Sequence, residues 1–99
     1  MENSELIFKL KKKATFEGTE YTNFDLSGLE ELSGEEYGSL CKQTESIDGA
    51  AMIPETSITF ACLAAAKATG LPYDFFKKLS AQDTCRLRYT VSGFFLSED

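Results

Sequence analysis

The sequence predicts an α+β fold, in which an N-terminal β-hairpin is followed by three to four α-helices packed as a small helical domain. Three observations predict it. Apolar and polar residues alternate from Leu6 to Leu26, which is the period of a half-buried strand. Apolar residues then recur at helical spacing behind a capping box at Ser33. Finally, proline and glycine divide residues 54–83 into helix starts and stops. The 99 residues are expected to form one domain.

The hairpin is expected over residues 5–26, after a frayed terminus at residues 1–4. The side chains facing the core of its first strand are the even-numbered apolar ones, Leu6, Phe8, Leu10, Ala14 and Phe16, and only Lys12 breaks the series. Residues 17–20 supply a turn, and Tyr21 opens the second strand. The lysines at 9, 11 and 13 are expected to face water or to keep the edge from pairing with other chains. A patch for nucleic acid or membrane is the alternative.

The helical part is expected over residues 33–97. Its first helix starts at the capping box formed by Ser33 and Glu36, which satisfies two backbone amides at once. Gly49 ends it, and residues 50–53 form a loop. Pro54 is expected in the first turn of the second helix, where no intrahelical donor is lost.

The second helix is expected to reach about Thr69, because Gly70 suits the left-handed position after a helix and Pro72 prevents continuation. A short helix through residues 73–79 follows. Ser80 then opens the last helix with the spacing of a capping box, although its fourth position holds Asp83 in place of Glu or Gln.

Charge is concentrated in one segment. The net charge is −6, and residues 25–48 hold seven acidic residues against one base, Lys42. A solvated helix face explains this segment, and a docking surface for a basic partner is the other interpretation. An acidic domain repels phosphate backbones, so the charge disfavours nucleic acid as a partner.

Catalytic and metal-binding patterns are missing. The chain has no histidine, so the commonest general base and the usual activator of Ser or Cys nucleophiles are absent. The three cysteines, Cys41, Cys62 and Cys85, are scattered without a CxxC pair and are expected to be reduced core residues. We therefore expect no enzyme, no metal and no cofactor.

The chain carries no apolar run near the roughly 20 residues of a membrane span and no signal-peptide pattern. It is expected to be soluble and cytoplasmic, with no membrane partner.

Aromatic residues near the C-terminus are the candidate partner-binding region. Two adjacent pairs are notable, because neighbours on a helix point about 100° apart, so one ring of each pair can enter the core while the other stays near the surface. The region consists of Tyr73, Phe75, Phe76, Tyr89, Phe94, Phe95 and Leu96. For any single ring, a place in the core is the alternative. If aromatic surface is left uncovered, the isolated chain is expected to self-associate as a homo-oligomer.

Three runs carry a family resemblance. They are Ala65-Ala66-Lys67-Ala68-Thr69-Gly70-Leu71-Pro72, then Leu79-Ser80-Ala81-x-Asp83, and a closing Val91-x-Gly93-Phe94-Phe95-Leu96. Together they resemble the tail assembly chaperones of long-tailed bacteriophages, the Mu-like and related prophage group in particular. The apolar first strand with Phe16-x-Gly18-x-x-Tyr21 and Leu26 is similar to the opening of that family. The resemblance covers most of the chain, and residues 33–51 depart from it most.

The resemblance implies a non-catalytic role in tail morphogenesis in the host bacterial cytoplasm. Such proteins hold the tape measure protein soluble, recruit tail tube subunits and are absent from the finished virion. In many relatives a ribosomal frameshift also yields a longer product. Two alternatives stay open at this point. One is a small phage regulatory or DNA-binding protein, for which Arg86 and Arg88 would open a recognition helix. The other is a minor structural tail protein.

Overall fold

A computed structural model describes residues 6–50 and 53–96. Its strands are β1 (Ile7–Phe16) and β2 (Thr19–Asp25), and its helices are α1 (Gly34–Asp48), α2 (Ile58–Thr69), α3 (Tyr73–Lys77) and α4 (Ala81–Leu96). Two 3-10 helices, Ser27–Glu31 and Pro54–Thr56, lead into α1 and α2. The α+β fold predicted from the sequence is confirmed. The expected frayed terminus at residues 1–4, part of the 50–53 loop and the end of the helical part at residue 97 lie outside the described residues.

The hairpin closes through a two-residue turn. Glu17 and Gly18 both have positive φ, 51° and 82°, the combination that matches the twist of two antiparallel strands. The second strand therefore begins at Thr19, two residues earlier than the sequence predicted. Phe8 lies opposite Phe24 in the pairing, and their rings stack with centroids 5.1 Å apart on the core side of the sheet.

A large bulge interrupts β1. Lys9 pairs with Asn23 and Ala14 pairs with Tyr21, so residues 10–13 lie opposite the single residue Thr22. The extra residues leave the regular ladder, and all three lysines of the bulge, residues 11–13, are exposed. This explains why Lys12 breaks the even-numbered apolar series without disturbing the core. The expectation that the lysines face water is confirmed.

Helix boundaries follow their capping residues. The Ser33 hydroxyl accepts from the Glu36 amide and the Glu36 carboxylate accepts from the Ser33 amide, which confirms the capping box. The prediction that Pro54 lies in the first turn of the next helix was wrong. Pro54 opens a separate 3-10 turn, and α2 starts after Ser57, whose hydroxyl accepts from the Phe60 amide. The helix starts at Ser57 because its hydroxyl accepts from the Phe60 amide, which has no partner within the helix. Pro54 has no side-chain acceptor that could satisfy such an amide.

Helix α2 lies at the centre of the core. Five of its residues, Phe60, Ala61, Cys62, Ala64 and Ala65, are buried. The small side chains among them, those of Cys62 and the alanines, let α1, α4 and the 3-10 helix Ser27–Glu31 approach the axis of α2 closely. Gly70 ends α2 with φ of 82°, as expected.

The cysteines differ in their surroundings. Cys62 is buried in α2, and burial raises the pKa of its thiol to about 11. Cys41 is half-buried and Cys85 is exposed on α4. The expectation of three core cysteines was therefore wrong for Cys85. Cys85 lies two residues before Leu87, so it points away from the face of α4 that buries Leu87 and Val91.

Gly28 allows the closest approach between two backbone segments. A β-carbon at this position would overlap the carbonyl oxygen of Ala68 and lie 2.9 Å from the Ala68 Cα. We expect Gly28→Ala to lower the free energy of unfolding by about 1–3 kcal/mol, because backbone atoms must move apart. Urea denaturation measures the change.

Gly38→Ala is the matched control for this prediction. A β-carbon at Gly38 in α1 would meet nothing within 4 Å, so the substitution should raise stability by about 0.5–1 kcal/mol through helix propensity alone. Destabilisation of similar size in both variants would contradict the account of the close approach.

Candidate partner-binding surface

The aromatic pair on α3 belongs to the core. Phe75 and Phe76 both have an exposed fraction of 0%. The expectation that one ring of this pair stays near the surface was wrong. Helix α3 has only five residues and lies between the inner face of the hairpin and α2, so both directions in which the rings point are covered. Phe75 contacts Phe16 and Tyr21 with ring centroids 5.8 and 4.7 Å apart, and Phe76 contacts Phe24 at 5.1 Å.

The second aromatic pair, near the end of α4, is half-buried. Phe95 packs against Tyr37 and Phe60 with ring centroids 5.3 and 5.5 Å apart, so it joins α4 to α1 and α2. Phe94 packs edge-on against Phe95 at 5.0 Å. Tyr73, also half-buried, begins α3 and has the Lys77 ammonium 5.4 Å from its ring centroid. The candidate residues thus differ in their surroundings: Phe75 and Phe76 pack against the hairpin, whereas Phe95 packs against α1 and α2.

Tyr89 and Leu96 are the two candidate residues that the structure leaves exposed. Tyr89 has an exposed fraction of 82% and Leu96 of 48%. Both project from the outer face of α4, because Leu87 and Val91 face the core. Cys85 lies one helical turn before Tyr89 on the same outer face.

A shallow groove adjoins this face. We call it the α4 groove; its volume is about 490 Å³, and it is lined by Thr56, Ile58, Ala81, Thr84, Cys85 and Arg88. Ile58, the first residue of α2, contributes an aliphatic side chain that is 53% exposed. Ile58 has the same apolar spacing as Ala61, Cys62 and Ala65, which are buried, and the groove was not predicted from the sequence. The position of Ile58 directly after the capping residue Ser57 was the available signal, since the first turn of a helix often projects beyond its packed face.

One cation lines the α4 groove. The Arg88 guanidinium donates to the carbonyl oxygen of Thr56 across a distance of 3.4 Å, which joins α4 to the 3-10 turn Pro54–Thr56. Arg88 is half-buried. The groove therefore offers an apolar floor with a positive charge at its side, which suits the apolar stripe of a helix that carries a nearby carboxylate.

The N-terminus of α4 is fixed to the β1 bulge by a buried carboxylate. Asp83 has an exposed fraction of 0%. It accepts from the backbone amides of Lys11 and Lys12, at 3.0 and 3.1 Å, and from the Arg86 guanidinium at 2.7 Å. The Ser80 hydroxyl accepts from the Asp83 amide and donates to its carboxylate, both at 3.2 Å. The motif with the spacing of a capping box thus also joins α4 to the hairpin, through the Asp83 carboxylate.

Arg86 completes this connection. Its guanidinium donates to the Lys9 carbonyl oxygen at 2.9 Å and lies 4.8 Å from the ring centroid of Phe8. Burial acts to raise the pKa of Asp83, but the amides of Lys11 and Lys12, together with Arg86 and Ser80, lower it below its ordinary value of 3.8. The carboxylate is therefore ionised at neutral pH, and α4 is held in a fixed orientation.

The described residues contain no group of three or more His, Cys, Asp or Glu side chains that could hold a metal ion. Over the same residues, no helix has the length and apolar character needed to cross a bilayer. Comparison of the chain with models of protein families, with curated proteins and with solved structures gave no match.

Proposed function

We propose that this chain is a non-catalytic tail assembly chaperone of a long-tailed phage, which covers an exposed apolar stripe on a helical partner, the tape measure protein, and recruits tail tube subunits. The observation that carries the proposal is the uncovered apolar surface on α4 and the start of α2. Tyr89, Leu96 and Ile58 expose large apolar side chains there, and Ile58 lines the α4 groove.

The physical requirements of this role match the surface. A helix that docks by its apolar stripe needs a groove with an apolar floor, and its anchors recur every three to four residues. Cys85 and Tyr89 are spaced by one turn on α4, and Cys85 and Ile58 both line the α4 groove. Because Asp83 and Arg86 fix α4 to the hairpin, the surface is rigid and little conformational entropy is lost when a partner docks.

Acidic side chains elsewhere support solubility of such a complex. Glu35, Glu45 and Asp48 on α1 are exposed, as are Glu30 and Glu31 before it. A surface with excess charge of one sign resists association between complexes. We assign the acidic segment this solvated role.

Co-expression with the tape measure protein from the same genome tests the proposal. The wild-type chain should increase the soluble fraction of that partner and co-purify with it. Ile58→Asp should reduce the recovered complex by about tenfold, because a charge enters the apolar floor at an anchor position. The new carboxylate lies in the first turn of α2, where the helix dipole favours it, so the fold is retained and circular dichroism can verify this.

Two controls accompany this experiment. Ile58→Leu keeps an apolar side chain and should form as much complex as the wild type. Ser39→Asp adds the same charge to the exposed side of α1 and should have no effect. A tape measure protein that is equally soluble with and without this chain would refute the proposal, and equal losses for Ile58→Asp and Ser39→Asp would refute the assignment of the surface.

The alternative of DNA binding is weakened by the position of Arg86. Its guanidinium contacts Asp83, the Lys9 carbonyl and the Phe8 ring within the chain. Of the two arginines in the supposed recognition helix, Arg88 would then have to contact the DNA without Arg86. A minor structural tail protein would present the same surface. Mass spectrometry of purified virions separates it from a chaperone, which should be absent from the particle.

A further inference from the structure

We propose that the outer edge of β2, with the groove beside it, is a second binding site that takes an extended, basic peptide segment by strand addition. This site is separate from the α4 surface and does not rest on the function proposed above. The two edges of the two-stranded sheet differ in how their backbone groups are covered.

The outer edge of β1 is covered at residues 9–12. Asp83 accepts from the backbone amides of Lys11 and Lys12, and Arg86 donates to the Lys9 carbonyl. These are the backbone groups that an added strand would need at this edge. The side chains of α4 therefore occupy the positions that another strand would take, which is one way in which proteins protect an edge.

The outer edge of β2 has no such cover among residues 6–50 and 53–96. The Leu26 amide donates to the Leu6 carbonyl at 2.9 Å, so the backbone groups of Leu26, and by alternation those of Phe24, point toward β1 in the stretch before the bulge. The intervening residues Asn23 and Asp25 then direct their amides and carbonyls away from β1. Within the described residues, no backbone or side-chain group donates to or accepts from these outward groups.

A groove runs along this open edge. Its volume is about 520 Å³, and it is lined by Tyr21, Asn23, Phe24, Asp25, Ser27, Gly28, Ala68, Thr69 and Leu71. The contact between Gly28 and Ala68 forms its floor, where a β-carbon on residue 28 would not fit. Tyr21 and Leu71 are half-buried and offer apolar contacts to alternate side chains of a strand, as strand addition requires.

Charge selects the occupant. Asp25 is the one charged residue that lines the groove. Glu20, further along the same strand, is paired with Lys13 across the hairpin at 3.4 Å, so Asp25 supplies the negative charge at the groove. Hydrogen bonds from the Ser27 amide and hydroxyl lower the pKa of Asp25, so this side chain stays negatively charged to a lower pH than an ordinary aspartate. An extended segment with lysine or arginine complements this edge, and an acidic one is repelled.

A second copy of this chain fits less well. Pairing of β2 with β2 would bring the acidic residues of two identical edges together, and like charges on paired strands are destabilising. The lysine-rich β1 of another copy has its outer edge closed by its own α4. Residues 1–5 carry Glu2 and Glu5, so the same repulsion disfavours them.

Amide NMR of the ¹⁵N-labelled full chain tests the inference with three synthetic nine-residue peptides. The first alternates valine and lysine, the second alternates valine and glutamate, and the third is the lysine peptide with alternate backbone nitrogens methylated. The lysine peptide should shift the amides of Glu20, Asn23 and Asp25 and of residues 69–71. The glutamate peptide and the methylated peptide, which lacks the donors for the edge, should bind at least about tenfold more weakly.

Asp25→Asn separates charge from fold, because its side-chain oxygen can still accept from the Ser27 amide as in the wild type. It should weaken binding of the lysine peptide about two- to fivefold, while Asp74→Asn, at an exposed carboxylate on α3, should not. Shifts confined to α4, equal binding of the methylated peptide, or no shift at millimolar peptide would overturn the proposal. Concentration-dependent shifts at the β2 edge without peptide would assign it to a second copy and overturn the choice of occupant.

Discussion

Asp83→Ala is expected to lower the free energy of unfolding by about 2–4 kcal/mol, because it removes a buried carboxylate and leaves the donors around it without an acceptor. The substitution leaves the amides of Lys11 and Lys12 and the Arg86 guanidinium without their common acceptor. Urea denaturation followed by circular dichroism measures the change. Asp74→Ala removes an exposed carboxylate from α3 and should cost less than about 1 kcal/mol.

The same carboxylate gives a pH signature. Because the pKa of Asp83 is lower in the folded chain than its ordinary value of 3.8, the stabilisation is complete above pH 3.8 and is lost as the pH falls from there through the lower folded value. Asp25 and Glu36, whose pKa values are also lowered by hydrogen bonds, act in the same direction. The wild type should lose more stability on acidification than Asp83→Ala. Parallel pH profiles would contradict this role.

Phe75→Ala is expected to cost about 3–5 kcal/mol, because it removes a ring that is enclosed on all sides and leaves a cavity. The ring contacts Phe16, Tyr21 and Phe24, so its loss separates α3 from the hairpin. Tyr89→Ala, at a ring that is 82% exposed, should change stability by less than about 0.5 kcal/mol. The same denaturation experiment measures both, and Phe75→Leu, with an expected cost near 1.5 kcal/mol, serves if the alanine variant does not fold.

We expect the two aromatic variants to rank differently in the two experiments: Phe75→Ala has the larger effect on stability, and Tyr89→Ala has the larger effect on recovery of the tape measure complex. Tyr89→Ala should reduce recovery of the tape measure complex while leaving the chain folded, because the side chain belongs to the exposed face of α4. Equal stability losses at Phe75 and Tyr89 would mean that the candidate aromatic region is core throughout and would remove the α4 surface as the partner site.

The order of elements could be predicted from the sequence because local signals mark their boundaries. Ser33 with Glu36, Gly49 and Gly70 each act within one helical turn of where they lie, so their effects are readable without the tertiary structure. The hairpin was predicted from the period of its apolar residues. The start of α2 was missed because Ser57 carries no acidic partner three residues later, and Pro54 gave a stronger signal.

The candidate site was harder to predict because it depends on contacts distant in sequence. Adjacent aromatic residues on a helix suggest one buried and one exposed ring, but α3 is covered from two sides and buries both Phe75 and Phe76. Ile58 has the apolar spacing of the buried residues of α2 and yet borders an open groove together with Cys85. Periodicity gives the direction of a side chain relative to its own helix, whereas exposure depends on which other element lies in that direction.

The bond between Asp83 and the β1 bulge also has a consequence for synthesis of the chain. The amides it satisfies lie 71 and 72 residues earlier in the sequence. A nascent chain emerging from the ribosome presents the lysine-rich hairpin long before the carboxylate that closes its edge has left the exit tunnel. Protection of the β1 edge is therefore delayed until α4 has emerged, and a product truncated before Asp83 would expose backbone amides that the carboxylate otherwise covers.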